Sequence, residues 1–300
     1  MTQSPASLAK VFKIVKPKKM GEGAGAVVGR IIGTAEVRNF DPFLMLDHFT
    51  GRLPGGFPDH PHRGFETVSY LLSGSFFHED FKGHKGKLGP GDVQWMTAGK
   101  GILHAEMPGS ADEDSIGLQL WINLPKAKKM IDPNYQEFSS GGIPVASNGA
   151  GVTAKVICGS EFGVEGAVKP TWPAQYVDFS LGPKSSLEKV VPGGWNCFIY
   201  LLEGSLALNG TQVDLNTAVF FQKTDADTLA RISTASAPAR FVFIGGQPIG
   251  EPIRQYGPFV MNTEQEIEQA FADYHGSTNG FEGSRTWKSG IRKLSNHFDD

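Results

Sequence analysis

The sequence predicts an all-β protein made of two tandem, jelly-roll-like β-barrels followed by a C-terminal helix and tail. Three observations carry that prediction. Apolar runs recur at roughly ten-residue spacing, broken by Gly, Pro, Asn and Asp, which is the pattern of a sandwich or barrel and not of βαβ units. Glycine takes 38 of 300 positions and only 20% of residues are charged, which suits a turn-rich chain with a large core. The run Tyr70-Leu71-Leu72-Ser73-Gly74-Ser75 returns as Tyr200-Leu201-Leu202-Glu203-Gly204-Ser205, so the chain reads as a duplication.

The elements follow in order. Lys10, Lys13, Lys16, Lys18 and Lys19 have no acidic residue between them and read as a solvated strand edge protected by charge. Gly21-Glu22-Gly23-Ala24-Gly25 lacks the Lys-Ser/Thr of a phosphate-binding loop and reads as a flexible turn. Strands are expected at 67–72, 93–96 and 117–123, and in the second copy at 176–181, 198–202, 218–222 and 241–244. The seam falls between 126 and 151, dividing the chain into an N-terminal barrel, 1–135, and a C-terminal barrel with helix and tail, 136–300. Thr263-Glu264-Gln265-Glu266 reads as a capping box opening a helix with Ile267, Ala270, Phe271 and Tyr274 on one face. The tail around Trp287 is expected to pack back across a barrel.

Two short clamps carry the chemistry: His60-Pro61-His62 and His104-Ala105-Glu106. Alternate side chains of an extended strand share a face, and Pro61 holds its neighbourhood extended. Two such pairs on neighbouring strands present three imidazoles and one carboxylate to a single point. Fe(II), Mn, Co, Ni or Zn suits that donor set, and Ca or Mg does not. Four protein ligands on an octahedral ion leave positions open for chemistry. Gly99 and Gly101 permit the bend that returns His104 and Glu106 toward the ion.

The second copy lacks the clamps. The repeat offset puts His60 and His62 on Val190 and Pro192, and Glu66 on Asn196. Aligning 92–96 with 216–220 puts His104 and Glu106 on Thr228 and Ala230. One metal per chain is expected, in the first barrel.

The run from Phe57 to Val68, Phe-Pro-Asp-His-Pro-His-Arg-Gly-Phe-Glu-Thr-Val, resembles the signature of the pirin family, a branch of the cupin superfamily. So do the run from Gly91 to Glu106, the run Tyr256-Gly257-Pro258-Phe259-Val260-Met261-Asn262, and Thr286-Trp287-Lys288. The resemblance implies a bicupin fold with Fe(II) held at the positions of His60, His62, His104 and Glu106. It implies ring-cleaving dioxygenase activity on flavonols such as quercetin, with O2 as co-substrate and Glu106 as the proton acceptor. For eukaryotic members it also implies nuclear location and a transcriptional co-regulator role. That makes the alternative reading a redox-sensitive iron protein that binds a transcription factor. An isomerase or other non-oxygenase activity is a third reading, because fold does not fix function. In many cupins the position of Glu66 supplies a ligand. Glu66 shares strand parity with His62, so it stands here as an alternative ligand or a supporting group.

Several residues have plainer readings. His48 reads as a satisfied loop histidine, His78 and His84 as exposed members of a polar turn, and His275 and His297 as peripheral. Phe57, Phe65, Trp95 and Trp121 line a cavity or fill the core. Cys158 and Cys197 form no motif and are expected to be reduced and buried. A net charge of −3 argues against strong direct binding to nucleic acid or membrane. The chain has neither an 18-residue apolar stretch nor a signal pattern, so the expected compartment is cytoplasmic or nuclear, not secreted.

Overall fold

The computed structural model of the chain describes residues 7–294; His297 lies outside the described residues. Contacts divide the chain into two compact units. The first is Lys18–Ser140 with the segment from Ile249 onward, and the second is the segment through Pro17 with Gly141–Pro248. This is not the division expected at 135/136. Strand Val11–Val15 pairs with Ala218–Phe221 in the second unit, and the C-terminal helix belongs to the first. An open sheet edge takes whichever segment covers its unpaired N–H and C=O groups, and chain order does not reveal which segment that is.

Each unit is all-β. In the first, a seven-stranded sheet runs Asn134–Phe138, Val93–Thr97, Phe65–Ser73, Ser115–Asn123, Phe43–Gly51, Ala26–Ile32, Lys18–Glu22. Its companion sheet of four strands runs Phe57–His62, Ile102–Pro108, Phe76–Asp80, Lys85–Leu88. The second unit repeats the plan with a seven-stranded and a four-stranded sheet. The ladders are antiparallel, so residues alternate between the interior and the opposite face along each strand.

The two interiors differ in chemistry. The second is filled by an apolar cluster that includes Val156, Phe179, Ile199, Phe221 and Phe243. The first buries polar groups, among them His62, Ser69, His104 and Glu106. In strand Ser186–Val191 the buried positions are Leu187, Lys189 and Val191. The repeat offset had matched His60 to Val190, which is 42% exposed and faces away. A slip of one residue exchanges the faces of a strand, and a short sequence match does not resolve it. The buried Lys189 donates to Glu161 at 2.8 Å and to Gln175 at 3.3 Å, and its ammonium lies 4.4 Å from the centroid of Phe243.

Helix Glu264–Gly276 opens with the expected capping box: Thr263 Oγ1 accepts from Glu266 N, and Glu266 Oε2 accepts from Thr263 N. It buries Ile267 and Ala270 against Phe259, Met261 and Phe281. Beyond it, Ser289 donates to Asp59 and Gly290 N donates to Glu79, so the tail does pack on a barrel, the first one. Among the described residues no helix is long and apolar enough to cross a membrane.

Candidate metal centre

Strand Ile102–Pro108 pairs with Phe57–His62 so that His104 lies opposite His60. Both strands turn the same face inward, and the three imidazoles converge. Ring centroids are 4.4 Å apart for His60 and His104, 4.7 Å for His60 and His62, and 5.0 Å for His62 and His104. One ring nitrogen from each lies within 4.8 Å of the others. The register with Phe57–His62 shifts between His104 and Glu106, the extra residue lying on the Phe57–His60 side, while His104 and Glu106 keep regular pairing with Asp80 and His78. Glu106 Oε2 stands 3.9 Å from His104 Nε2, beside the histidine cluster.

The surroundings prepare these donors. The Pro58 carbonyl lies 2.8 Å from His60 Nδ1; that nitrogen donates, which leaves the Nε2 lone pair free. Burial, with His60 alongside, pushes the imidazoles of His62 and His104 well below their usual pKa, so both rings are neutral and hold a free lone pair. Ser69 Oγ lies 3.0 Å from Glu106 Oε1 and 2.8 Å from Gln119 Oε1, so its single proton serves one acceptor at a time. Gln119 Nε2 donates to Glu106 Oε2 at 3.2 Å.

The donor set fits a transition-metal ion. His104 is 1% exposed, yet neither of its ring nitrogens has a hydrogen-bond partner. An orphaned buried imidazole is costly, and a cation among the three rings would supply the partner this one lacks. Three nitrogens and one carboxylate oxygen match a borderline first-row ion.

A cavity of about 810 Å³ opens onto this cluster, with His60, His62 and Glu106 in its wall. Phe49, Phe57, Phe76 and Trp121 supply apolar surface to it. Phe65 and Trp95 are buried and absent from the lining; Phe65 packs under His62, 5.1 Å between centroids, and against Trp121. Also in the cavity lining, Arg30 makes a two-point contact with Asp47, at 2.8 and 2.7 Å, and a further one with Glu22 at 2.6 Å.

Several expectations change. Glu66 accepts from Thr97 Oγ1 at 2.7 Å and lies outside the histidine cluster. It sits on the face of Phe65–Ser73 opposite Ser69. The parity shared with His62 breaks at Gly64, whose φ of +89° turns the chain between the two strands. His48 lies on a strand, not a loop, and is half-buried. His78 is 3% exposed and His84 half-buried, because Phe76–Asp80 turns His78 inward. Both meet Glu137, whose carboxyl is held down to about 2, against the effect of burial, by His78, Gln94 and His84. Ser69, Gln119 and Arg63 were not singled out. The signal for Ser69 and Gln119 was a polar residue at an inward position of an apolar strand.

Comparison with known proteins agrees with this architecture. The family profile described as "Pirin" matches residues 25–122, and "Pirin C-terminal cupin domain" matches residues 176–280. Human "Pirin" is 48% identical over 291 residues, covering 95% of this chain and 99% of that protein. "Pirin-like protein 2" of Arabidopsis thaliana is 48% identical over 285 residues, covering 93% of this chain and 88% of that protein. A solved quercetin 2,3-dioxygenase from Acinetobacter baumannii is 30% identical, with a TM-score of 0.82 over 92% of this chain and 99% of its own. With both of its barrels matched and a histidine cluster set in the first, this chain belongs to the pirin family of bicupins.

Proposed function

We propose that this protein is a metal-dependent oxygenase, with Fe(II) held by His60, His62, His104 and Glu106, that opens the ring of a flavonol such as quercetin. The observation that carries the reading is the convergence of three imidazoles beside a carboxylate, with His60, His62 and Glu106 in the wall of a cavity that aromatic side chains also line. Its volume, about 810 Å³, lies within the usual range for a drug-sized ligand, and its aromatic lining suits a flat polyphenol. The dioxygenase from Acinetobacter baumannii, alike over nearly its whole length, adds support.

A bound first-row ion supplies Lewis acidity toward an oxygen donor and one-electron chemistry with O2. In this reading Glu106 takes the proton of the substrate hydroxyl, and Gln119 and Ser69 keep its carboxylate oriented. The Pro58 carbonyl fixes the ring of His60, so the imidazole does not turn away as substrate enters. Phe49, Phe57 and Trp121 cover the flat faces of the ligand and exclude water from the ring being opened.

The test is to incubate protein loaded with Fe(II) with quercetin in air, following flavonol absorbance, carbon monoxide and bound iron. His104→Ala is expected to lose both iron and turnover. Full turnover by an iron-free His104→Ala protein overturns the proposal. Iron retained without turnover, together with redox-dependent binding to a transcription factor, would favour the adaptor role.

A further inference from the structure

Outside the cavity, a second group of ligand-type side chains meets in the first unit. We propose that His78, His84 and Glu137 form a second cation site, for a zinc-class divalent ion held by two imidazole nitrogens and a carboxylate. The inference is independent of the oxygenase reading.

The geometry is that of ligands around a shared centre. His78 Nε2 is 2.9 Å from Glu137 Oε1, and His84 Nε2 is 3.1 Å from Glu137 Oε2. The ligand atoms of the three residues all lie within 4.8 Å of one another. Despite these short distances, neither ring nitrogen makes a hydrogen bond of acceptable direction. A simple imidazole–carboxylate pair would align its N–H with the oxygen. Donors of a tetrahedral zinc ion, with bonds of about 2.0–2.2 Å, stand roughly 3.3 Å apart and aim at the centre, not at each other. The lack of an aligned N–H···O bond at both rings departs from the first pattern.

The site is also built. Asp80 Oδ1 accepts from the backbone N of Lys82 and of His84, both at 2.8 Å, and this turn brings His84 back over His78. The two rings stack at 5.2 Å, and His84 stacks on Tyr135 at 4.2 Å. Gln94 Nε2 donates to Glu137 Oε1 at 2.6 Å, the kind of outer contact that orients a carboxylate ligand. At Gly86 a Cβ would overlap His78 Nε2, so the strand leaves that nitrogen clear. Only His78 is deeply buried; the side chains of His84 and Glu137 are 34% and 29% exposed. His78 pairs across the ladder with Glu106, so occupancy here bears on the strand that carries the first site.

The test isolates this site by disabling the other. Full-length His104→Ala protein is stripped with a chelator, titrated with Zn(II) alone, and its bound zinc counted after gel filtration. One ion per chain is expected, with a rise in melting temperature. Adding His84→Ala or Glu137→Gln should weaken that binding by about tenfold or more and remove the melting shift. No zinc on the folded His104→Ala chain overturns the proposal, as does binding unaffected by both added changes. If His104→Ala does not fold, by circular dichroism, His60→Ala at the half-buried cavity wall serves as the background.

Discussion

The guanidinium of Arg63 and the carboxylate of Asp273 meet at 2.7 Å, both buried, across 210 residues of chain. Arg63 also donates to the carbonyls of Lys100, at 2.6 Å, and Asn279, at 2.7 Å, and lies over the ring of Phe281. Each of the three guanidinium nitrogens of a residue adjacent to His62 is thereby engaged. The C-terminal helix is part of what holds the first clamp in place.

Removing one partner of such a pair leaves the other charge buried and alone. Arg63→Ala is expected to lower stability by about 3–5 kcal/mol. Asp273→Asn, which keeps an acceptor for the guanidinium, should cost less. Urea unfolding measures both, and an unchanged midpoint for Arg63→Ala would refute the account.

Gln119 holds the Glu106 carboxylate without belonging to the histidine cluster. Gln119→Leu should weaken first-site metal affinity by about 10–100-fold while leaving the fold intact. Equilibrium dialysis against Fe(II) or Ni(II) reads the effect, with the melting temperature of the metal-free protein as control.

Lys129 Nζ donates to Asn123 Oδ1 and to the carbonyls of Gly64 and Val260, with no carboxylate in contact. Burial lowers its pKa to about 7. Its pKa in the unfolded chain is about 10.4, so between these values the unfolded state binds more protons and stability rises with pH. The stability of wild type relative to Lys129→Met should be flat below pH 7. Above it, the difference should climb by up to about 1.4 kcal/mol per pH unit. A difference that stays flat across this window would show that the ammonium is retained in the fold.

Cys158 and Cys197 are both reduced and buried, and burial pushes the Cys197 thiol up to about 12. The thiolate is the reactive form. Native protein at pH 8 should resist iodoacetamide, and both cysteines should be alkylated in denaturant. Rapid labelling of the native chain, read by mass spectrometry, would contradict that burial.

Much of the candidate metal centre was legible in the sequence because its logic is local. His60 and His62, and His104 and Glu106, are two positions apart on extended strands, so alternation alone places each pair on one face. The helix was legible because Thr263 and Glu266 cap it through contacts three residues apart. The role of Glu66 stayed open in the sequence because parity counts only within one strand, and the turn at Gly64 resets it. His78 was misread because a polar run, His78-Glu79-Asp80, turns two of its three residues inward.

By itself the sequence determined that the chain is all-β and duplicated, and that two clamps in the first copy are spaced to share a face. The tertiary structure alone decided that the clamps converge, because their meeting depends on a ladder that sets His104 opposite His60. It alone decided that Val11–Val15 completes the second unit's sheet, that Asp273 anchors Arg63, and that Glu137 joins His78 and His84. Local geometry repeats along the chain and can be counted from residue to residue. Register, edge pairing and burial depend on which distant segments win the competition to cover one another, and that is settled only when the whole chain packs.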